Sequence, residues 1–184
     1  TVNLLFRPGT GETMDTLLEA HGRMPLPPYI SRDGRPEDRQ RYQTRYARHT
    51  GSVAAPTAGL HFSDELLAAI GASGVETASI VLHVGYGTFA PVRTEDIRDH
   101  VIHREAVEVS AETAAAVNRV RATGGRVWAV GTTTVRTLEF AADTSGQVQP
   151  MAGECDLFIY PGYRFQVVDN LITNFHLPKS SLLF

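Results

Sequence analysis

Chemistry in this chain is concentrated at a few histidines and one threonine-rich turn. His83 closes an apolar run and is followed by Gly85-x-Gly87. His103 and Glu105 lie two apart, with His100 just before them. Asn174 and His176 repeat that spacing near the end of the chain, and His61 stands in a small-residue loop. An imidazole titrates near neutral pH, so each His is a candidate for moving a proton, and a neighbouring carboxylate can orient it. Gly131-Thr132-Thr133-Thr134 follows the apolar run Arg126–Val130 and precedes Val135 and Leu138 at helical spacing, which predicts strand, tight turn, helix. Such a turn offers backbone N–H groups and hydroxyls to an anion or polar ligand, with Arg136 as a charged neighbour. The plainer reading is a βα corner with a Thr N-cap. His100, His103 and Glu105 could also ligate a metal, but the spacing departs from the His-Glu-x-x-His pattern and no cysteine lies near, so acid–base work by His103 and Glu105 stands ahead of a metal-dependent hydrolase. Gly85-x-Gly87 lacks the third glycine of a dinucleotide fingerprint.

A second chemical feature is basic. Arg32, Arg35, Arg39, Arg41, Arg45 and Arg48 are interleaved with Asp33, Glu37 and Asp38. From Pro36 the segment reads as a helix on which Tyr42 and Tyr46 share a face. Either it is a solvated helix surface, or a basic surface with aromatics suited to a phosphate backbone and unstacked bases.

These groups need elements to place them. Thr13 predicts the cap of a helix through Met14 and His21 that stops at Gly22; Ser63 caps a second, which stops near Gly74, and Ser110 a third over Ala111–Thr123. Pro25–Ile30 is a stiff extended connector. Residues 76–84, 107–109, 126–130, 156–160, 165–168 and 171–178 read as strands or strand-like pieces, and 143–153 as a mobile loop. Strands and helices alternate, which predicts an α/β fold, barrel-like, with a largely parallel sheet and surrounding helices. The length of 184 residues suits one domain with a real core, and 42% hydrophobic with 20% charged residues is an ordinary globular composition. A net charge of −3 gives no bulk attraction to nucleic acid. Cys155 is the single cysteine, so an internal disulfide is excluded. No apolar run has membrane-spanning length, and the cytoplasm is the expected location. Apolar residues at both ends, Val2–Phe6 and Ser181–Phe184, suggest a piece of a longer protein.

Taken in order, several stretches resemble one family. They are Met24-Pro25-Leu26-Pro27-Pro28-Tyr29-Ile30, Tyr42-Gln43-Thr44, the run Val53–Phe62 with Pro56-Thr57-Ala58-Gly59-Leu60-His61, and Leu82-His83-Val84-Gly85 with Gly87-Thr88-Phe89. To these add His100-x-x-His103-x-Glu105, Val130-Gly131-Thr132-Thr133 with Arg136-x-Leu138-Glu139, Phe158-Ile159-Tyr160-Pro161-Gly162, and Thr173-Asn174-Phe175-His176-Leu177-Pro178. The set is similar to the S-adenosylmethionine:tRNA ribosyltransferase-isomerases of queuosine biosynthesis. The resemblance implies an α/β-barrel-like catalytic domain covering most of 1–184, with 1–12 as the exit from an inserted β-barrel absent here. It implies ribosyl transfer from S-adenosylmethionine to the 7-aminomethyl-7-deazaguanine wobble base of tRNA, giving epoxyqueuosine-tRNA, adenine and methionine. S-adenosylmethionine is then a substrate, with no cofactor or metal, and a monomer is favoured. The expected catalytic groups are His83, His103, Glu105 and His176. Thr57, His61, Gly85, Gly131, Thr132, Thr133, Arg136 and Asn174 are expected to bind substrate, and Arg39, Arg41, Tyr42 and Arg45 to meet tRNA. A non-catalytic tRNA-binding fragment is the main alternative.

Overall fold

The structure is a computed structural model and describes residues 11, 13–27, 29–89 and 94–176. The expected strand at 2–6, most of the turn at 7–11, nearly all of the barrel exit at 1–12, Pro28 of the connector and the apolar end at 181–184 lie outside the described residues.

Three strands form an antiparallel sheet in the order β1 (Val81–His83), β2 (Glu105–Val109), β4 (Met151–Cys155). His83 faces Ala106 across one seam; Glu105 faces Cys155 across the other. Along β2 the buried positions alternate, so Glu105, Val107 and Val109 share the inner face. Helix α4 (Ala111–Ala122) starts where the Ser110 hydroxyl accepts from the Thr113 amide, and it turns Ala114 and Val117 inward. Val109, Val127, Leu138, Ala141, Val148 and Val167 complete that core, and burial of such apolar surface is the main force holding the elements together.

A separate parallel pair joins β3 (Trp128–Val130) to β5 (Asn170–Ile172). Gly131 follows β3 at φ +95°, a conformation that favours glycine, and α5 (Thr132–Phe140) begins at once. The expected Thr cap is corrected: Gly131 holds the N-cap position, and the Thr134 hydroxyl donates back to the Val130 carbonyl at 2.8 Å. Helices α1 (Met14–His21), α2 (Asp38–Arg41) and α3 (Asp64–Ala72) precede the sheet, with Thr13 and Ser63 capping α1 and α3 as predicted.

The fold is mixed α/β, but the largely parallel barrel-like sheet is corrected to this antiparallel sheet and two-stranded parallel pair. Alternation of strands and helices led the expectation astray because α4 links β2 to a strand outside β2's sheet. The segment expected as a mobile loop runs into the first residues of β4, while 156–160 and 165–168 form no strand. Those two stretches are apolar for another reason: Phe158, Ile159, Phe165 and Val168 line a cavity. The basic helix is also short. Asp38 spends its carboxylate on Arg32 at 2.7 and 2.8 Å and on the Arg35 amide at 2.7 Å, and the backbone leaves helical geometry at Tyr42. Arg32 beside it holds the Asp38 carboxyl well below the usual carboxylate range.

Candidate active site

The first turn of α5, the start of β2 and the two apolar stretches enclose a cavity of about 460 Å³. Thr132, Thr133, Val135 and Arg136 line it from α5; Ile102, His103 and Glu105 from the approach to β2; Phe158 and Ile159 from the segment after β4. The remaining wall runs from Phe165 through Val168, Asp169 and Asn170 to Asn174 and His176. Of the expected site residues, His103, Glu105, Thr132, Thr133, Arg136, Asn174 and His176 meet here from segments far apart in the chain.

Glu105 is 3% exposed and Arg136 8%. The guanidinium donates through Nη1 to Glu105 Oε2 at 2.8 Å, and through Nη2 to the carbonyls of His103 at 2.8 Å and Cys155 at 2.7 Å. Its Nε donates to the Leu157 carbonyl at 2.7 Å. A guanidinium has five N–H donors, so Arg136 has one left for anything else. Its charge serves chiefly to fasten α5 to β2, to the end of β4 and to the chain leading to Phe158. Glu105 in turn faces His103: Nε2 of the ring lies 3.1 Å from Oε1, off the line of a hydrogen bond but within ion-pair reach. The Gly85 amide donates to the same oxygen at 3.4 Å, a long contact. His103 rests on Gly87, where a Cβ would fall 2.6 Å from the ring Cγ. The carboxylate is thus fixed by a cation and presents its other oxygen to an imidazole, the arrangement that orients a general base.

The His61 ring Nε2 and Asn174 Oδ1 are 2.8 Å apart, which links His61 to the cavity through Asn174. The Thr173 hydroxyl and His176 Nε2 are 3.2 Å apart, and burial pushes the His176 ring below its ordinary value, favouring the neutral form. Thr132 and Thr133 line the cavity from the first turn of α5, where the leading amides of a helix have no intrahelical carbonyl to bond.

Thr57, His83, Gly85 and Gly131 do not line the cavity. Thr57 starts a short 3-10 helix that ends on His61, and so acts at one remove. His83 sits in β1 with its Nδ1 buried and without a hydrogen-bond partner among the described residues; a Cβ on Gly51 would fall 2.5 Å from that nitrogen. Among the expected tRNA contacts, Tyr42 is buried, whereas Arg39, Arg41 and Arg45 are exposed, Arg39 donating to the Glu19 carbonyl at 2.8 Å. Among the described residues no three His, Cys, Asp or Glu side chains gather as a metal site, and the His100 ring packs against Phe158 with centroids 5.4 Å apart. Cys155 is buried, and burial raises its thiol pKa, which suits a packing role. Reading residue types missed Thr88, Asp169 and Asn170 as lining residues. Residues 158–159 and 165–168, read from their apolar character as strands, instead supply lining residues of the cavity.

The family model of the queuosine biosynthesis proteins matches residues 1–184. The chain belongs to this family. Three curated relatives bear the name S-adenosylmethionine:tRNA ribosyltransferase-isomerase. The protein of Trichlorobacter lovleyi is 59% identical over 94% of this chain and 50% of its own length. That of Syntrophotalea carbinolica is 59% identical over 91% of this chain and 49% of its own. The Synechococcus protein is 61% identical over 93% and 46%. The chain therefore spans about half the length of the curated relatives it matches. A crystal structure of S-adenosylmethionine tRNA ribosyltransferase from Thermotoga maritima is similar at 43% identity and a TM-score of 0.50, covering 68% of this chain and 38% of that one. Some of the motifs that suggested the family in the sequence line the cavity: His103-x-Glu105, Thr132-Thr133 with Arg136, Phe158-Ile159 and Asn174-x-His176.

Proposed function

We propose that this chain carries the reaction centre of an S-adenosylmethionine:tRNA ribosyltransferase-isomerase. It would transfer the ribosyl part of S-adenosylmethionine to 7-aminomethyl-7-deazaguanine in tRNA, with isomerisation, releasing adenine and methionine. The observation that carries the reading is the convergence of His103, Glu105, Thr132, Thr133, Asn174 and His176 on one cavity in a chain of this family.

The roles follow from the chemistry. Removing a proton from the ribose carbon beside the sulfonium needs a base held still, and His103 beside the Arg136-fixed Glu105 supplies one. The methionine carboxylate suits the Thr132–Thr133 amides at the start of α5, where the helix dipole favours negative charge. Phe158 and Phe165 offer flat apolar surface to the adenine ring. Asn174 and neutral His176 orient the sugar or assist the departing base. S-adenosylmethionine enters as substrate, with no separate cofactor in the scheme. Arg41 and Arg45 remain the proposed tRNA contacts, with the exposed Arg39 beside them bonded to the Glu19 carbonyl and Tyr42 buried beneath their segment. No helix among the described residues is long and apolar enough to cross a membrane, and we place the activity in the cytoplasm, in a monomer.

The test is adenine release from S-adenosylmethionine in the presence of tRNA carrying the aminomethyl-deazaguanine base. Release that depends on both substrates is expected, with His103→Ala lowering turnover on the order of 10²–10⁴-fold. Retention of tRNA with no release of adenine would favour the non-catalytic binding fragment.

A further inference from the structure

Helix α5 carries a second buried charge, three residues after Arg136, that the proposed chemistry does not use. Glu139 is 4% exposed. Its Oε1 accepts from the amides of Val167 at 3.0 Å and Val168 at 2.9 Å; its Oε2 accepts from the Gln166 amide at 2.8 Å and the Tyr163 hydroxyl at 3.2 Å. Burial, reinforced by the carboxylate itself, pushes the Tyr163 hydroxyl up to about 12, so it remains a donor throughout the neutral range. A buried carboxylate is normally compensated by a cation. Here three consecutive amides and a hydroxyl do that work, and in return they are pinned to α5.

The pinned segment forms no ladder and makes one wall of the cavity. Phe165 and Val168 flank or belong to the bonded residues, and Asp169 and Asn170 follow directly. Asp169 is tied down once more, accepting from the Val127 amide at 2.7 Å. Arg136 does the corresponding thing on the other side, through backbone carbonyls at 103, 155 and 157 and through Glu105. One helix therefore holds the two walls with opposite charges, each spent mainly on main-chain groups.

We infer that Glu139 is a positioning residue for substrate binding: it fixes the wall formed by Phe165, Val168, Asp169 and Asn170 against which the nucleoside part of the sulfonium substrate is held. This rests on the proposed function. The two arms of α5 then have separable consequences. Loosening the Glu139 arm changes the fit of bound S-adenosylmethionine and leaves His103 and Glu105 in place. Loosening the Arg136 arm moves the proton-transfer pair itself.

The experiment measures the dissociation constant for S-adenosylmethionine by equilibrium dialysis, together with KM and kcat for adenine release, on wild type, Glu139→Gln, Tyr163→Phe and Arg136→Lys. Gln keeps the shape of Glu139 but turns an NH2 group on one pair of donors. Glu139→Gln is expected to raise Kd and KM about 10-fold with kcat changed less than about 3-fold, the pattern of lost uniform binding. Tyr163→Phe removes one of the bonds and is expected to raise both about 3-fold with its melting temperature close to wild type. Arg136→Lys is expected to act mainly on kcat. If Glu139→Gln fails to fold, Tyr163→Phe decides. Kd and KM unchanged in Tyr163→Phe, or kcat falling as far as KM rises in Glu139→Gln, overturns the inference while leaving the function standing. A wild-type chain that neither binds S-adenosylmethionine nor releases adenine overturns the function, and the inference with it.

Discussion

Replacing Gly87 by Ala tests whether His103 must sit where it does. The added Cβ would meet His103 Cγ at 2.6 Å, its Cβ at 2.9 Å and its Nδ1 at 3.0 Å. Unstrained contacts of carbon with heavy atoms lie at roughly 3.5–4.0 Å, so the ring must retreat by on the order of 1 Å. It cannot do this with its tip alone, because the closest atoms are at the root of the side chain. Gly87 does not have positive φ, so Ala meets no backbone penalty and the effect is steric. Over-packing of this kind typically costs about 1–3 kcal/mol of stability. The larger consequence is chemical: Nε2 leaves its place 3.1 Å from Glu105, and misplacing a reacting group by about 1 Å lowers rates about 10²-fold. Gly85→Ala is the matched control, since a Cβ there meets nothing within 4 Å. The assay is kcat for adenine release at saturating substrates, with thermal melting to follow folding. A Gly87→Ala protein that melts near wild type and turns over within twofold of Gly85→Ala would refute the assignment of His103.

The remaining predictions concern charge. Arg136→Ala leaves Glu105 buried without its cation and should cost about 3–5 kcal/mol, read as a shift in the urea midpoint. His176 is lowered in the folded state by burial, so folding releases protons from it on the way down in pH: its contribution is intact above its unfolded value near 6.5 and is lost as pH falls below that. His176→Asn should remove part of the acid-side fall in melting temperature, and an unchanged profile would refute this. Arg41→Glu and Arg45→Glu should each weaken tRNA binding and flatten its dependence on salt, whereas S-adenosylmethionine affinity should not change.

Local signals in the sequence carried through to the structure. Thr13, Ser63 and Ser110 cap the helices they were expected to cap, because a cap depends on one side chain and the next three amides. The Gly131 turn was legible for the same reason. Strand partners were not: β3 pairs with β5 about forty residues on, and β2 with β4 across α4, α5 and a loop, choices set by tertiary packing. Apolar runs at 156–160 and 165–168 satisfy a cavity instead of a sheet, and period alone does not separate the two. Tyr42 and Tyr46 were placed on one helix face, yet the helix ends at Arg41, because the Asp38 carboxylate joins Arg32 and Arg35 and Tyr46 packs over Gly59.

Arg136 shows how a count of bonds changes the role that residue type suggests. A lone arginine near a phosphate- or carboxylate-binding turn invites the reading that it grips the ligand. Once its bonds are counted, four of its donors are already committed within the protein, and a ligand carboxylate could take them only by releasing the ends of β2 and β4. Under the proposed function, the first-turn amides of α5 suit a ligand carboxylate without that cost. Glu139 makes the same point with the sign reversed: a carboxylate at the edge of an active site is not a general base when two amides bind one oxygen and an amide and a hydroxyl bind the other. What separates Glu105 from Glu139 is not burial. Glu105 lines the cavity and turns Oε1 to the ring of His103, whereas Glu139 lies outside the lining and both its oxygens are taken by amides and by a Tyr163 hydroxyl that stays protonated through the neutral range.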